Sequence, residues 1–246
     1  MRRPLAACLA AVLLTTACGG GGERTVTVFA ASSLTGVFGA LEQRFEADHP
    51  GVDVRLNLAG STRLAQQIRE GAPADVFASA NAATMADVAD AGLVDGEPAT
   101  FATNELTIAV APGNPRGISS FADLADRGLT LVTCAPQVPC GAATREVERA
   151  TGVDLRPDSE EPNVRAVLTK VETGEADAGV VYVTDVRSAG QRVTGVPFAE
   201  AREAVNDYPI AVLRNAADTS LARRFRDLVL GAAGQRELAE AGFGAP

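Results

Sequence analysis

Tryptophan is absent from this 246-residue chain, tyrosine occurs twice, histidine once, and aromatic residues make up only 4%. So few aromatic faces leave little from which to build a stacking platform for sugars or bases. The single histidine, His49, sits in a His-Pro-Gly turn, which makes it a surface residue and deprives a serine hydrolase of a suitable general base. No Gly-x-Ser-x-Gly elbow occurs either. Basic side chains are outnumbered, 22 Lys and Arg against 31 Asp and Glu, for a formal charge of −9. That balance repels nucleic acid and anionic lipid. Neither an enzyme nor a nucleic-acid partner is expected. Beyond the N-terminal segment no run approaches the roughly twenty apolar residues of a membrane-spanning helix.

What is present begins with Arg2-Arg3, an apolar run from Leu5 to Leu14, then Thr15-Thr16-Ala17-Cys18 and four glycines. This pattern resembles a lipoprotein export signal over residues 1–17, with Cys18 as the lipid-bearing first residue of the mature chain and 18–24 as its tether. Plain secretion and an uncleaved anchor are the alternatives. The location implied is extracytoplasmic, lipid-anchored to the outer face of the cell membrane or periplasmic. Arg2 and Arg3 leave with the signal, so the mature chain is more acidic still.

Of four cysteines, Cys8 leaves with the signal and Cys18 takes lipid, so Cys134 and Cys140 form an even pair in an oxidising compartment. We read a disulfide, against two free buried thiols; closing so short a loop contributes roughly 2 kcal/mol on the chain-entropy model. A metal site is poorly supplied, since one histidine and two tyrosines give few ligands.

Past the glycines, two hydrophobic periods alternate. Residues 25–31 and 52–58 read as strands; between them Leu34, Val37, Phe38, Leu41 and Phe45 mark one helical face. Helices follow Ser61 and span Thr84 to Ala91, with a strand from Asp75 to Ala80 between them. Further strands are expected at 105–111, 129–133, 178–183, 193–198 and 208–213. Further helices are expected from Ser120, after Gly141, along Val164, Val167, Leu168 and Val171, and along Leu221, Phe225, Leu228 and Val229. Such alternation predicts an α/β fold with mainly parallel sheets flanked by helices. In such sheets ligands collect beyond the carboxyl ends of strands, where helix N-termini expose free amides. Ser32-Ser33 and Gly60-Ser61-Thr62 occupy two such junctions. Serine is also among the commonest helix caps, so each junction alone is equally explained by capping. Together they point to a small anion or polar solute in a cleft.

The segments Val28-Phe29-Ala30-Ala31-Ser32-Ser33-Leu34-Thr35, Ser61 through the Gly71-Ala72-Pro73-Ala74-Asp75 block to Ala80, and Gly179-Val180-Val181-Tyr182 closely resemble the periplasmic molybdate-binding proteins of ABC importers. The likeness runs through the whole mature chain. It implies a two-lobed periplasmic-binding-protein type II fold with two interlobe crossovers. Lobe one would be 24–104 with 207–246, and lobe two 105–206. The implied guest is molybdate or tungstate, with no cofactor, and the implied partner an ABC permease; a monomer is expected.

Carried over position by position, the resemblance assigns oxyanion contacts to the hydroxyls of Ser33 and Ser61, the backbone N–H groups of Cys140 and Val164, and the phenol of Tyr182. Molybdenum would be held only as the oxyanion, with no direct protein–metal bond. Cys140 stands where the family commonly has alanine, and its tie to Cys134 would fix the amide in place. Without the resemblance, Tyr182 reads as a core cap. Arg63 and Arg165, beside proposed donors, are read as solvated, and Asp75 as a turn stabiliser. The nearest rival is a receptor of the same architecture for sulfate or phosphate.

Overall fold

Alternation of the two hydrophobic periods sets the fold element by element. The computed structural model describes residues 24–246; the expected signal peptide 1–17, Cys18 and nearly all of the tether lie outside them. The chain first forms β1 (Arg24–Ala31), α1 (Thr35–Asp48), β2 (Val52–Ala59), α2 (Ser61–Arg69), β3 (Val76–Ala78), α3 (Ala82–Asp90) and β4 (Ala99–Asn104). Then come β5 (Leu106–Val110), β6 (Leu131–Cys134), α4 (Pro139–Thr151), β7 (Ser159–Glu161), α5 (Val164–Glu172), β8 (Ala178–Tyr182), α6 (Val183–Ala189) and β9 (Thr194–Val196). It closes with β10 (Asn206–Val212), α7 (Thr219–Leu230) and α8 (Ala232–Ala241).

These strands make two five-stranded sheets, ordered β2-β1-β3-β10-β4 and β7-β6-β8-β5-β9. In the first, β2, β1 and β3 are parallel while β10 runs against both of its neighbours. The second repeats the plan: β7, β6 and β8 are parallel, and β5 runs against β8 and β9. The sheets are therefore mixed, with one reversed strand each. That strand is in each case the one entered directly from the other sheet, β5 after β4 and β10 after β9.

Burial follows the pleat. In β1, Val26, Val28 and Ala30 face the cluster built with α1, α7 and α8, whereas Phe29 faces the cluster built with α2 and α3. Phe38, Phe45, Phe101 and Phe225 interlock in the first cluster, Phe45 and Phe225 edge-on at 5.4 Å. Leu106, Ile108, Val180 and Val181 centre the second sheet's core, with α4 and α5 packed on it.

Some elements depart from expectation. Strands β4 and β7 and helices α6 and α8 had no clear signal, and α4 starts at Pro139 rather than after Gly141. Proline suits the first helical position because its missing N–H has no intrahelical partner there. His49 is half-buried rather than free on the surface: its ring stacks on Phe45 at 4.2 Å, and its Nδ1 lies 2.9 Å from the Phe45 carbonyl oxygen. Among the described residues no helix is long and apolar enough to cross a membrane.

Asp75 is buried beside β3, where its carboxylate accepts from the backbone N–H groups of Thr27 and Ala217, each at 2.7 Å. It ties β1 to the approach to α7. Asp75→Ala leaves both donors without a partner and should cost about 3 kcal/mol in a urea unfolding titration; an unchanged midpoint would refute this role.

Candidate binding site

Parallel pairing brings three strand ends level in each sheet. Ala31 pairs with Ala59, and Ala30 with Ala78, so Ser33, Ser61 and Ala80 lie together just past the carboxyl ends of β1, β2 and β3. In the second sheet Cys134 pairs with Glu161, and the chain beyond β6, β7 and β8 gives Cys140, Val164 and the end residue Tyr182. The two sets of strand ends face one another across a small, half-open cavity. Ser33, Ser61, Cys140, Val164 and Tyr182 all line it, joined by Ser32, which sequence reasoning had set aside. Its free interior, about 10 Å³, is no more than one water molecule needs.

The serines are not helix caps. Gly60 is the residue preceding α2, and no side chain caps that helix; α4 is likewise uncapped. Elsewhere capping is ordinary: Asn81 accepts from Thr84 N and Asp218 from Leu221 N. Ser61 Oγ instead accepts from the N–H of Ala80 at 3.0 Å, which leaves its own proton free to point into the cavity. Ser61, Cys140 and Val164 sit in the first turns of α2, α4 and α5, where an amide has no carbonyl partner within its own helix. Three helix N-termini therefore converge on one small space, each contributing partial positive charge.

The loop before α4 is held by the disulfide between Cys134 and Cys140. Gly141 follows at the point of closest approach, since a Cβ there would run into the backbone of Ala135. Gly60 meets the same constraint across the cleft: a Cβ would collide with the carbonyl oxygen of Pro162. Nearby, Thr62 Oγ1 donates to the Gln137 carbonyl at 2.9 Å, a second contact between the two sheet units.

Tyr182 is 1% exposed, and its phenol oxygen has no hydrogen-bond partner among the described residues. Burial, with the neighbouring Tyr208 and Asp185, raises its pKa well above the ordinary phenol value, so it stays a donor. A buried donor without a partner costs free energy unless a guest completes it. Tyr208, which sequence reasoning did not place near the site, packs edge-on to Tyr182 at 6.1 Å, its hydroxyl 3.0 Å from Ser33 Oγ.

No Lys or Arg among the described residues lines the cavity. Arg63 is exposed, Arg165 donates to Ser188 Oγ at 2.9 Å, and Arg187 lines an adjoining groove, which shares Ser33 with the cavity, together with Glu237 and Glu240. No group of three or more His, Cys, Asp or Glu among the described residues could hold a metal ion. The arrangement offers neutral N–H and O–H donors and would best accommodate a compact, acceptor-rich anion.

Known proteins resemble the chain in sequence and in fold. The chain matches the family model described as bacterial extracellular solute-binding protein over residues 26–244. It is 52% identical over 225 residues to the molybdate-binding protein ModA of Mycobacterium tuberculosis (strain ATCC 25618 / H37Rv), covering 92% of this chain and 86% of that one. Against ModA of Escherichia coli (strain K12) it is 32% identical over 202 residues, 78% of each chain. In fold it is similar to the periplasmic molybdate-binding protein of Azotobacter vinelandii, with a TM-score of 0.78 at 22% identity, covering 90% of this chain and 99% of that one.

Asp185, buried behind the cavity, accepts from Tyr182 N at 3.0 Å. Burial pushes its carboxyl up to about 7, against a smaller lowering from that hydrogen bond and from Arg165. A raised pKa in the folded state favours the fold below the ordinary carboxyl range, and that stability drains away as pH rises towards 7. Asp185→Asn keeps an acceptor for Tyr182 N and should flatten this decline, melting higher than the parent at pH 8 but not at pH 4. Parallel pH profiles of the melting temperature for the two proteins would count against this assignment.

Proposed function

The chain belongs to the family of bacterial extracellular solute-binding proteins, and on that premise we propose that it captures molybdate, with tungstate as a near equivalent, in the cavity between its sheets. The observation that carries this reading is the convergence of neutral donors from both sheets on one small space that no Lys or Arg among the described residues lines. The similar proteins named as molybdate-binding support the choice of guest. Ser33 and Ser61 would donate through their hydroxyls, Cys140 and Val164 through their amides, and Tyr182 through the phenol that has no partner among the described residues.

In this reading, residues 24–104 with 207–246 form one lobe and 105–206 the other, and they close on the guest about the passages at Asn104–Leu106 and before Asn206. Gly60 against Pro162 is where the closing surfaces touch. Helix-end dipoles and hydroxyls give directional attraction without a formal countercharge, which lets a doubly charged guest be held and still be released. Selection follows from the donor set. A fully ionised oxyanion accepts at every oxygen, whereas a protonated one sets its own O–H against another donor. Phosphate, partly protonated at neutral pH, is rejected on that ground, and sulfate, being smaller, leaves donors underused.

The protein is then a binder rather than an enzyme, working outside the cytoplasm and passing its cargo to an ABC permease in the membrane. Lipidation at Cys18 would hold a monomer at the membrane surface. Parallel calorimetry with molybdate, tungstate, sulfate and phosphate tests the guest: the first two should bind far more tightly, and a preference for sulfate or phosphate would overturn it. Ser33→Ala, Ser61→Ala and Tyr182→Phe should each weaken molybdate about tenfold or more, the size of a lost hydrogen bond to a charged group; unchanged affinity in all three would displace the site. Gly60→Ala should keep the lobes apart, so that small-angle scattering detects less compaction on adding molybdate than in the parent. Equal compaction would contradict the closure assigned to Gly60.

A further inference from the structure

A serine hydroxyl can donate or accept, and only its surroundings decide which it offers a guest. For Ser61 the decision is made by the Ala80 N–H, a donor that takes the serine's lone pair. Ser33 faces a phenol instead: its Oγ lies 3.0 Å from Tyr208 Oη, and either atom is able to donate. The direction turns on a contact one step further back. Asn104 Oδ1 accepts from the Glu105 N–H at 3.1 Å, which orients the amide so that Nδ2 faces Tyr208 Oη at 3.4 Å and Thr184 Oγ1 at 2.8 Å. With its oxygen receiving from Asn104, Tyr208 has its own proton free for Ser33, which would leave Ser33 its proton for the cavity. Asn104 and Tyr208 are both buried. Burial holds the Tyr208 phenol well above its ordinary pKa, so this proton is not lost near neutral pH.

We propose that Asn104 and Tyr208 are positioning residues that fix Ser33 as a donor through a one-way chain of hydrogen bonds, Asn104 to Tyr208 to Ser33 to the bound oxyanion. Neither is assigned a contact with the guest. The chain makes Ser33 match Ser61 and Tyr182, so all three hydroxyls face the cavity as donors and none accepts a proton from a protonated oxyanion. Asn104 ends β4 and Tyr208 lies in β10, the strands flanking the two passages between sheets, and Asn104 also reaches Thr184 on α6. The relay thus joins the guest's first donor to the place where the lobes would hinge.

This inference rests on the oxyanion-binding reading, and a double-mutant cycle read by calorimetry separates the two. Tyr208→Phe should weaken molybdate about tenfold, comparable to Ser33→Ala, while the double variant is weaker than Ser33→Ala by no more than about twofold, because the phenol acts only through the serine. In Tyr208→Phe the affinity for phosphate should hold or rise while that for molybdate falls, since Ser33 is then free to accept a proton. Parent-like affinity in Tyr208→Phe, multiplicative losses in the double variant, or equal losses for both anions would each overturn the relay. If Tyr208→Phe folds poorly, as judged by its melting curve, Asn104→Ala in the same cycle reads the same chain with the same expectations. A parent protein that binds none of the oxyanions removes the binding reading and the relay with it. Binding by the parent together with a multiplicative cycle removes the relay alone.

Discussion

Neutral donors gathered around one small space are the constraint on which the rest of this structure depends. Taking a doubly charged guest out of water is costly, and the loss is recovered only if most of its oxygens meet donors in good geometry. A lysine or arginine would supply attraction at once, at the expense of selectivity and release. The cavity is lined instead by first-turn amides, three serines and a phenol. That Tyr182 Oη is buried without a partner among the described residues makes sense in the same terms: the proposed guest would complete it.

The sheets exist, in functional terms, to aim those donors. Three parallel strands ending level in each sheet place three turns side by side, and three of the helices leaving those turns, α2, α4 and α5, point their N-termini at the same space. Two of these helices lack side-chain caps, so their free amides are not consumed internally. The reversed strands β5 and β10 follow the two passages between sheets, and the asparagine and tyrosine that orient Ser33 lie on β4 and β10. Geometry at the passages and chemistry at the cavity are thereby linked through side chains and not only through backbone.

Much of this was legible in the residues themselves. The period-two run ending at Ser32-Ser33 and the turn Gly60-Ser61-Thr62 gave both first-sheet junctions, because apolar patterning is strong on either side of them. Cys140, Val164 and Tyr182 came from resemblance: a backbone amide carries no side-chain signature, and a tyrosine at a strand end reads as a core cap. Other elements were silent for physical reasons. β4, Ala-Thr-Phe-Ala-Thr-Asn, has one bulky apolar residue, and β7 is three residues with two glutamates. In α6 the apolar run of β8 continues through Val183 and masks the helix start, while α8 buries only Gly234 and Leu238. Tyr208 lies 175 residues from Ser33, and its bond to it is a product of the folded topology that no local pattern announces.

The most direct test of the central claim is a crystal structure grown with tungstate, whose heavy metal locates the guest by anomalous scattering. The account predicts one strong peak in the cavity, with tungstate oxygens in hydrogen-bond reach of the Ser33, Ser61 and Tyr182 hydroxyls and the Cys140 and Val164 amides, and no ammonium or guanidinium in that shell. A peak elsewhere, or a lysine or arginine nitrogen against the oxyanion, would contradict it.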